Sequence, residues 1–250
     1  MAASRARLAA QLYTVRDLTA RSMAETLEAV ARIGFDGVEP AGLTDLTAAE
    51  TAACCAALGL EVCAAHVGLE RFERDPEGVA AELTQLGTDT VVFPWLPPPT
   101  TAAEIEASGA RVAAATARAH GLGLRPVFHN HRGEFARVAT GERLWDRLAA
   151  IDGLGLEVDL GWVWAAGEEP LALLASVAGR CPLVHLKDVR RDGETIRDTP
   201  LGDGELDWPA ILPGAVAAGA AWLIVEQDEP GDDPLGALRR SFAYVEPLLD

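Results

Sequence analysis

Four short apolar runs in the second half of the chain each lead into residues able to bind a divalent metal. They read VFHNHRGEF (127–135), LEVDLGW (156–162), LVHLKDV (183–189) and LIVEQDEP (223–230). Near-continuous apolar runs of this length predict strands covered on both faces, as in a parallel sheet. Each polar residue then falls at a strand's C-terminal end, and in a (β/α)8 barrel those ends converge on the face where active sites are built. Asp159, His185 and Glu226, with a fourth donor from 128–134, form a mixed oxygen and nitrogen set. That set suits Mn²⁺ best, with Mg²⁺, Co²⁺ or Zn²⁺ as alternatives, and does not suit a structural thiolate site.

Side chains two apart on a strand share a face. Asp159 is therefore expected beside Glu157, His185 beside Lys187, and Glu226 beside Asp228. Val158, Leu160, Val184, Leu186 and Ile224 are expected on the opposite face, against helices. In the fifth strand His129 and His131 share a face, and Glu134 must fold back to reach an ion. Because hard divalent ions prefer oxygen, Glu134 is the favoured fourth ligand and His129 the alternative. Glu226, His131 and His129 are candidate proton-transfer groups, and Lys187 either stabilises an anionic intermediate or pairs with a carboxylate. In the first half Gln11 and Tyr13, expected on one face of strand one, join Glu39, His66 and the strand-end tryptophans Trp95 and Trp162 as candidate substrate contacts.

These side chains need a scaffold that brings strand ends together. Strand-like runs begin near Leu8, Gly37, Glu61, Thr90, Leu124, Leu156, Pro182 and Ala221, separated by alanine- and leucine-rich helical stretches. Ser22 with Glu25, Thr47 with Glu50 and Thr101 with Glu104 read as capping boxes. Gly34, Gly59, Gly87 and Gly121 read as helix stops, and Asp75-Pro76 and Asp233-Pro234 as helix starts. A strand–helix repeat of roughly thirty residues predicts parallel βα units, and eight of them favour an α/β single (β/α)8 TIM barrel over an open doubly wound sheet. No GxGxxG follows the first strand, which weighs against the open sheet. The longest irregular stretch, 189–207, is expected over the catalytic face.

The chain has 250 residues, 49% of them hydrophobic, so one domain over 1–250 is the expectation. A formal charge of −17 argues against a phosphate-tracking nucleic-acid surface but not against a small substrate. Cys54, Cys55, Cys63 and Cys181 show no CxxC spacing and read as small buried thiols of a reducing compartment. The start MAASRARLAAQLY lacks the pattern of a secretory signal, and no charge-free apolar run is long enough to span a bilayer. A soluble, cytoplasmic protein with no membrane partner is expected; a homo-oligomer is left open.

The strings QLYTVRD, GFDGVEP, FHNHRGEF, EVDLGW, HLKDV, LGDGELDWPAIL and IVEQDEP, in this order, resemble the xylose isomerase-like TIM-barrel superfamily, and within it the sugar phosphate isomerase/epimerase group. That resemblance implies a Glu/Asp/His/Glu metal set, of which Asp159, His185 and Glu226 match the last three members. The fifth strand departs from it, reading FHNH where ketose epimerases carry a glutamate. The EQD string is similar to the inosose dehydratase branch. The resulting expectation is a metal-dependent isomerase or epimerase of a sugar or keto-polyol working through an enediolate. Dehydration of an inosose or 3-keto-glycoside is the alternative, and a metal-free binding module the alternative of another class.

Overall fold

Apolar residues on both faces of each strand and caps at the helix ends build alternating strands and helices along the chain. The computed structural model describes residues 6–193 and 195–249. The strands are β1 (Arg7–Gln11), β2 (Gly37–Glu39), β3 (Glu61–Val62), β4 (Ala65–His66), β5 (Thr90–Phe93), β6 (Arg125–His129), β7 (Gly155–Asp159), β8 (Leu183–Leu186), β9 (Asp188–Asp192), β10 (Thr195–Thr199) and β11 (Trp222–Val225). Nine of them form one parallel sheet in the order β3-β2-β1-β11-β8-β7-β6-β5-β4. The two ends of that order, β3 and β4, are separated in the chain only by Cys63 and Ala64, so the sheet returns on itself as a nearly closed barrel of the TIM type. The expected third strand is thus present as two short pieces.

The helix signals hold with three exceptions. Ser22 and Thr101 accept from the amides of Glu25 and Glu104, and Thr47 with Glu50 makes both halves of a capping box. Gly34, Gly59 and Gly87 end their helices with positive φ, where a side chain would be strained. Gly121 does not: it is the last residue of the helix Ala102–Gly121, and the left-handed turn falls two residues later at Gly123. At Ser22 and Thr101 the return half of the box is missing: the Ser22 amide donates to the Leu18 carbonyl (2.9 Å), and Glu104 accepts from Thr100 instead.

Inside the barrel, Ala9, Cys63, Ala64, Val92, Val127, Leu183 and Ile224 form an apolar plug below the polar mouth. Ile224 is a correction to the expected outward placement: it lies two residues before Glu226 and shares its inward face. Val158, Leu160, Val184 and Leu186 do face the outer shell, packing with buried residues of the surrounding helices. All four cysteines are free thiols, three buried and Cys54 half-buried. Among the described residues no helix is long and apolar enough to cross a membrane.

The stretch expected to be irregular contains an antiparallel hairpin, β9 with β10. Asp188, fully buried, organises the segment that leads on to Trp208. Its carboxylate accepts from the amides of Val189 (2.9 Å), Gly202 (2.8 Å), Gly204 (3.1 Å) and Leu206 (3.3 Å) and from Trp208 Nε1 (2.9 Å). A charged acceptor with this many donors ties the hairpin and the LGDGELDW loop to the end of β8. Asp198 in β10 in turn accepts from the amides of Asp228 (2.7 Å) and Glu229 (3.2 Å), fastening the segment after β11 beneath the hairpin.

Gly204 is required by close approach: a Cβ there would lie 2.0 Å from Asp188 Oδ1 and 2.7 Å from the carbonyl oxygen of Val189. Gly204→Ala is expected to cost about 1–3 kcal/mol by overpacking, lowering the melting temperature by about 2–4 °C for each kcal/mol. A thermal denaturation curve superimposable on that of the parent protein would contradict this anchoring.

Candidate metal centre

Two neighbouring groups of donors converge above the plug. His129, Asp159, His185 and Glu226 have ligand atoms within 4.8 Å of one another, and so do His66, His129, Glu157 and His185. The barrel register makes this possible: His129 pairs with Glu157 across β6 and β7, and Asp159 with His185 across β7 and β8. Glu226, the residue after β11, donates its amide to the carbonyl of Leu186 (3.1 Å). Asn130 fastens the ends of β6 and β7, accepting from the Asp159 amide (3.0 Å) and donating to the Asp159 carbonyl (3.3 Å).

The charges are buried and mutually paired. His185 donates from Nδ1 to Glu226 Oε2 (2.9 Å) and from Nε2 to Glu39 Oε2 (2.8 Å). Burial pushes its pKa down, but Glu157 and Glu226 outweigh burial and hold it well above the imidazole range. Lys187 Nζ, also fully buried, reaches Asp228 (2.6 Å), Glu226 (3.1 Å) and Asp159 (3.2 Å). Burial opposes its charge, yet Asp159, Glu226 and Asp228 together raise its pKa. The same cations hold Glu226 well below the carboxylate range against the effect of burial. Asp159 is pushed up to about 7, because burial and Glu226 outweigh Lys187 and His185. Its Oδ1 caps the short helix Leu160–Ala165 by accepting from the Trp162 amide (2.8 Å), while Oδ2 is the oxygen that faces the Lys187 ammonium (3.2 Å).

Glu134 stands outside both donor groups. Its carboxylate turns back on its own loop to accept from the His131 amide (2.8 Å), and burial raises its pKa. Of the two alternatives read for the fifth strand, the structure brings His129, not Glu134, to Asp159, His185 and Glu226. The strand places His129 on the inward face, whereas the 3-10 turn Gly133–Phe135 carries Glu134 away.

The cavity over the centre has a volume of about 520 Å³, and its lining includes Tyr13, His66, Trp95, His129, His131 and Glu226. Tyr13 and Trp95 are 42% and 52% exposed at its rim. Tyr13 is not on strand one with Gln11: β1 ends at Gln11, whose side chain accepts from the Tyr13 amide (3.0 Å), and Tyr13 lies in the 3-10 turn Leu12–Val15. Gln11 and Glu39 are fully buried and bonded to one another (2.7 Å), below the cavity rather than lining it. Trp162 lies beside the centre, with its ring 4.8 Å from Lys187 Nζ and 5.8 Å from the His131 ring. His131 is held neutral near neutral pH, its pKa lowered to about 4 by burial and by Lys187. Another cavity of about 540 Å³ lies at the opposite end of the barrel, but His120 and Arg180 on its wall are spent on backbone carbonyls.

Residues that the sequence did not single out as functional are Glu157, Asn130 and Asp228. Glu157 and Asp228 carried a signal in strand parity with Asp159 and Glu226; Asn130 carried none, because its role depends on two strand ends lying side by side.

A parallel barrel with a cup of buried histidines and carboxylates at its C-terminal mouth defines the class of protein. The model of the xylose isomerase-like TIM barrel matches residues 27–248, and the chain belongs to that family. It is 36% identical over 109 residues to a probable endonuclease 4 of Mycobacterium tuberculosis, a match covering 41% of this chain and 42% of that protein. It is 31% identical over 149 residues to an inosose dehydratase of Geobacillus kaustophilus, covering 51% of this chain and 47% of that protein. The matched parts are thus less than half the length of each relative. Among solved structures, a sugar phosphate isomerase/epimerase from Parabacteroides distasonis superposes with TM-score 0.83 at 19% identity, over 98% of this chain and 100% of that one. An L-ribulose 3-epimerase superposes with TM-score 0.76 at 19% identity, over 98% and 94%.

Lys187→Met is expected to destabilise the metal-free protein by about 3–5 kcal/mol, because removing one member of a buried ion cluster leaves its partners uncompensated. The midpoint of urea unfolding is the measurement. An unchanged midpoint would mean that the carboxylates do not depend on this ammonium.

Proposed function

We propose that the protein is a divalent-metal-dependent isomerase or epimerase that removes a proton next to the carbonyl of a keto-sugar or keto-polyol. The observation that carries this reading is the convergence of Asp159, His185, Glu226 and His129 beneath a cavity lined by His129, His131 and Glu226, with Lys187 buried against the carboxylates Asp159 and Glu226. The donor set fits an ion: two carboxylates and two imidazoles, all buried, with ligand atoms within 4.8 Å of one another. Such a set suits Mn²⁺, with Mg²⁺, Co²⁺ or Zn²⁺ able to replace it. When bound, a divalent ion there acidifies the proton beside a substrate carbonyl and offsets the charge that develops on the oxygen.

The chain's own residues supply the rest. His131, neutral and lining the cavity, accepts the proton at an imidazole nitrogen, and Glu226 is the alternative acceptor. Lys187 keeps its charge and opposes the negative charge of the enediolate. Tyr13 and Trp95 offer aromatic faces at the rim to the apolar side of a sugar ring. Return of the proton gives an isomer or epimer. Loss of a hydroxyl from the neighbouring carbon gives a dehydration product, the outcome that the partial likeness to inosose dehydratase supports.

With a panel of keto-sugars and inososes in D₂O, metal-dependent deuterium incorporation is expected beside the carbonyl, abolished by EDTA and reduced at least tenfold in Glu226→Gln. Metal content is expected to fall in His129→Ala and to be retained in Glu134→Gln. Bound metal without exchange or turnover on any substrate would replace this reading with a binding role.

The match to endonuclease 4 proteins favours a second reading, phosphodiester cleavage at damaged DNA. The charge of −17 opposes it, since phosphate tracking draws on clustered positive charge. Duplex DNA with an abasic site is expected not to bind at low salt in a mobility-shift assay. Tight, salt-sensitive binding would reverse the order of the two readings.

A further inference from the structure

Below Asp159, Glu226 and His129 lies a second set of donors, of which the proposed reaction uses only His185. Glu39 ends β2, His66 ends β4, Glu157 lies inside β7 and His185 inside β8. His66 Nε2 is 2.9 Å from Glu157 Oε2 and 3.2 Å from Glu39 Oε2, and His185 Nε2 is 2.8 Å and 3.2 Å from Glu39 and Glu157. Both carboxylates are wholly buried. The ion pairs described for them are all to histidines, because Lys187 is turned to the upper carboxylates Asp159, Glu226 and Asp228.

Two further observations point to a cation. Glu39 Oε1 and Glu157 Oε1 are buried and have no hydrogen-bond donor. An unsatisfied buried acceptor is destabilising, and more so when it is charged. The two ring nitrogens of His185 also face opposite ways, Nδ1 to Glu226 in the upper set and Nε2 to Glu39 and Glu157 in the lower. Two imidazole nitrogens and two carboxylates make a complete donor set for a borderline divalent ion such as Co²⁺, Zn²⁺ or Mn²⁺. His66 connects this set to the outside, being the lower-set residue that also lines the cavity.

We infer that the barrel holds a second divalent cation between Glu39, His66, Glu157 and His185 Nε2, so that the centre is dinuclear with the His185 ring between the two ions. The upper ion keeps Asp159, Glu226, His129 and His185 Nδ1. Occupation of both sides makes His185 a bridging imidazolate, whose two ring protons pass to solvent. The inference concerns metal stoichiometry and stands apart from the identity of the substrate.

The test uses the full chain, stripped by chelator dialysis and titrated with Co²⁺. Bound metal is counted by mass spectrometry after equilibrium dialysis, and the visible absorption of Co²⁺ is followed alongside. Two equivalents per chain are expected, entering in two steps. Glu157→Gln and, independently, His66→Gln are expected to retain one equivalent and lose the other, whereas Asp159→Asn loses the upper equivalent; circular dichroism establishes that each variant is folded. Saturation of the parent protein at one equivalent, or two equivalents retained by folded Glu157→Gln and His66→Gln, would overturn the lower site. In the first case, a single equivalent lost in Asp159→Asn would leave a single-metal isomerase or epimerase standing. Binding of no metal at all would remove both.

Discussion

The interior of this barrel depends on keeping a cluster of charges away from water. Glu39, Glu157, Asp159 and Glu226 lie with His185 and Lys187 at the mouth, almost wholly inaccessible. Burying a charge costs several kcal/mol even when it is paired, and a buried ion pair often contributes little to stability. The cluster therefore has to be carried by the rest of the fold. The apolar plug of Ala9, Val92, Val127, Leu183 and Ile224 seals it from below, and the shell of leucines and valines between strands and helices supplies the burial that offsets it. A site that costs stability in this way is what function would retain and packing alone would not.

The cluster also explains the unequal proton affinities around it. His185 and His129 are both buried imidazoles, and burial acts on both in the same direction. Two carboxylates flank His185 and raise its pKa, while His129 faces the charged His185 and falls well below the usual value. Asp159 and Glu226 share Lys187 and His185, yet one is raised and the other lowered, since Glu226 also accepts a hydrogen bond from His185 whereas Asp159 meets the charge of Glu226. Similar groups a few ångströms apart are thus given different protonation states, the arrangement that acid–base chemistry requires.

The hairpin β9–β10 shows how the mouth is held from above. Asp188 follows Lys187 in the chain and points the other way. Lys187 enters the charge cluster while Asp188 gathers the LGDGELDW loop. Alternation along one short segment therefore couples the ammonium of the centre to the cover over it. Gly161 completes the fit, since a Cβ there would lie 2.6 Å from the Lys187 carbonyl oxygen.

The features legible in the sequence were those set by local rules. Strand positions followed from apolar runs, most helix starts and stops from caps and glycines, and the inward placement of Asp159, His185 and Glu226 from a period of two. The same rule, applied consistently, would have placed Ile224 inward. The tertiary structure decided everything that depends on which strand ends are neighbours. Glu134 and His129 were open alternatives in the chain, and only the turn after β6 shows that one closes its own loop while the other meets Asp159. Gln11, Tyr13 and Glu39 looked alike as strand-end polar residues, and burial separated two of them from the cavity. Glu39 and His185 touch across 146 positions of sequence. Alternation says which way a side chain points, but the stagger of a closed sheet sets the height at which it arrives, and no short stretch of sequence contains that stagger.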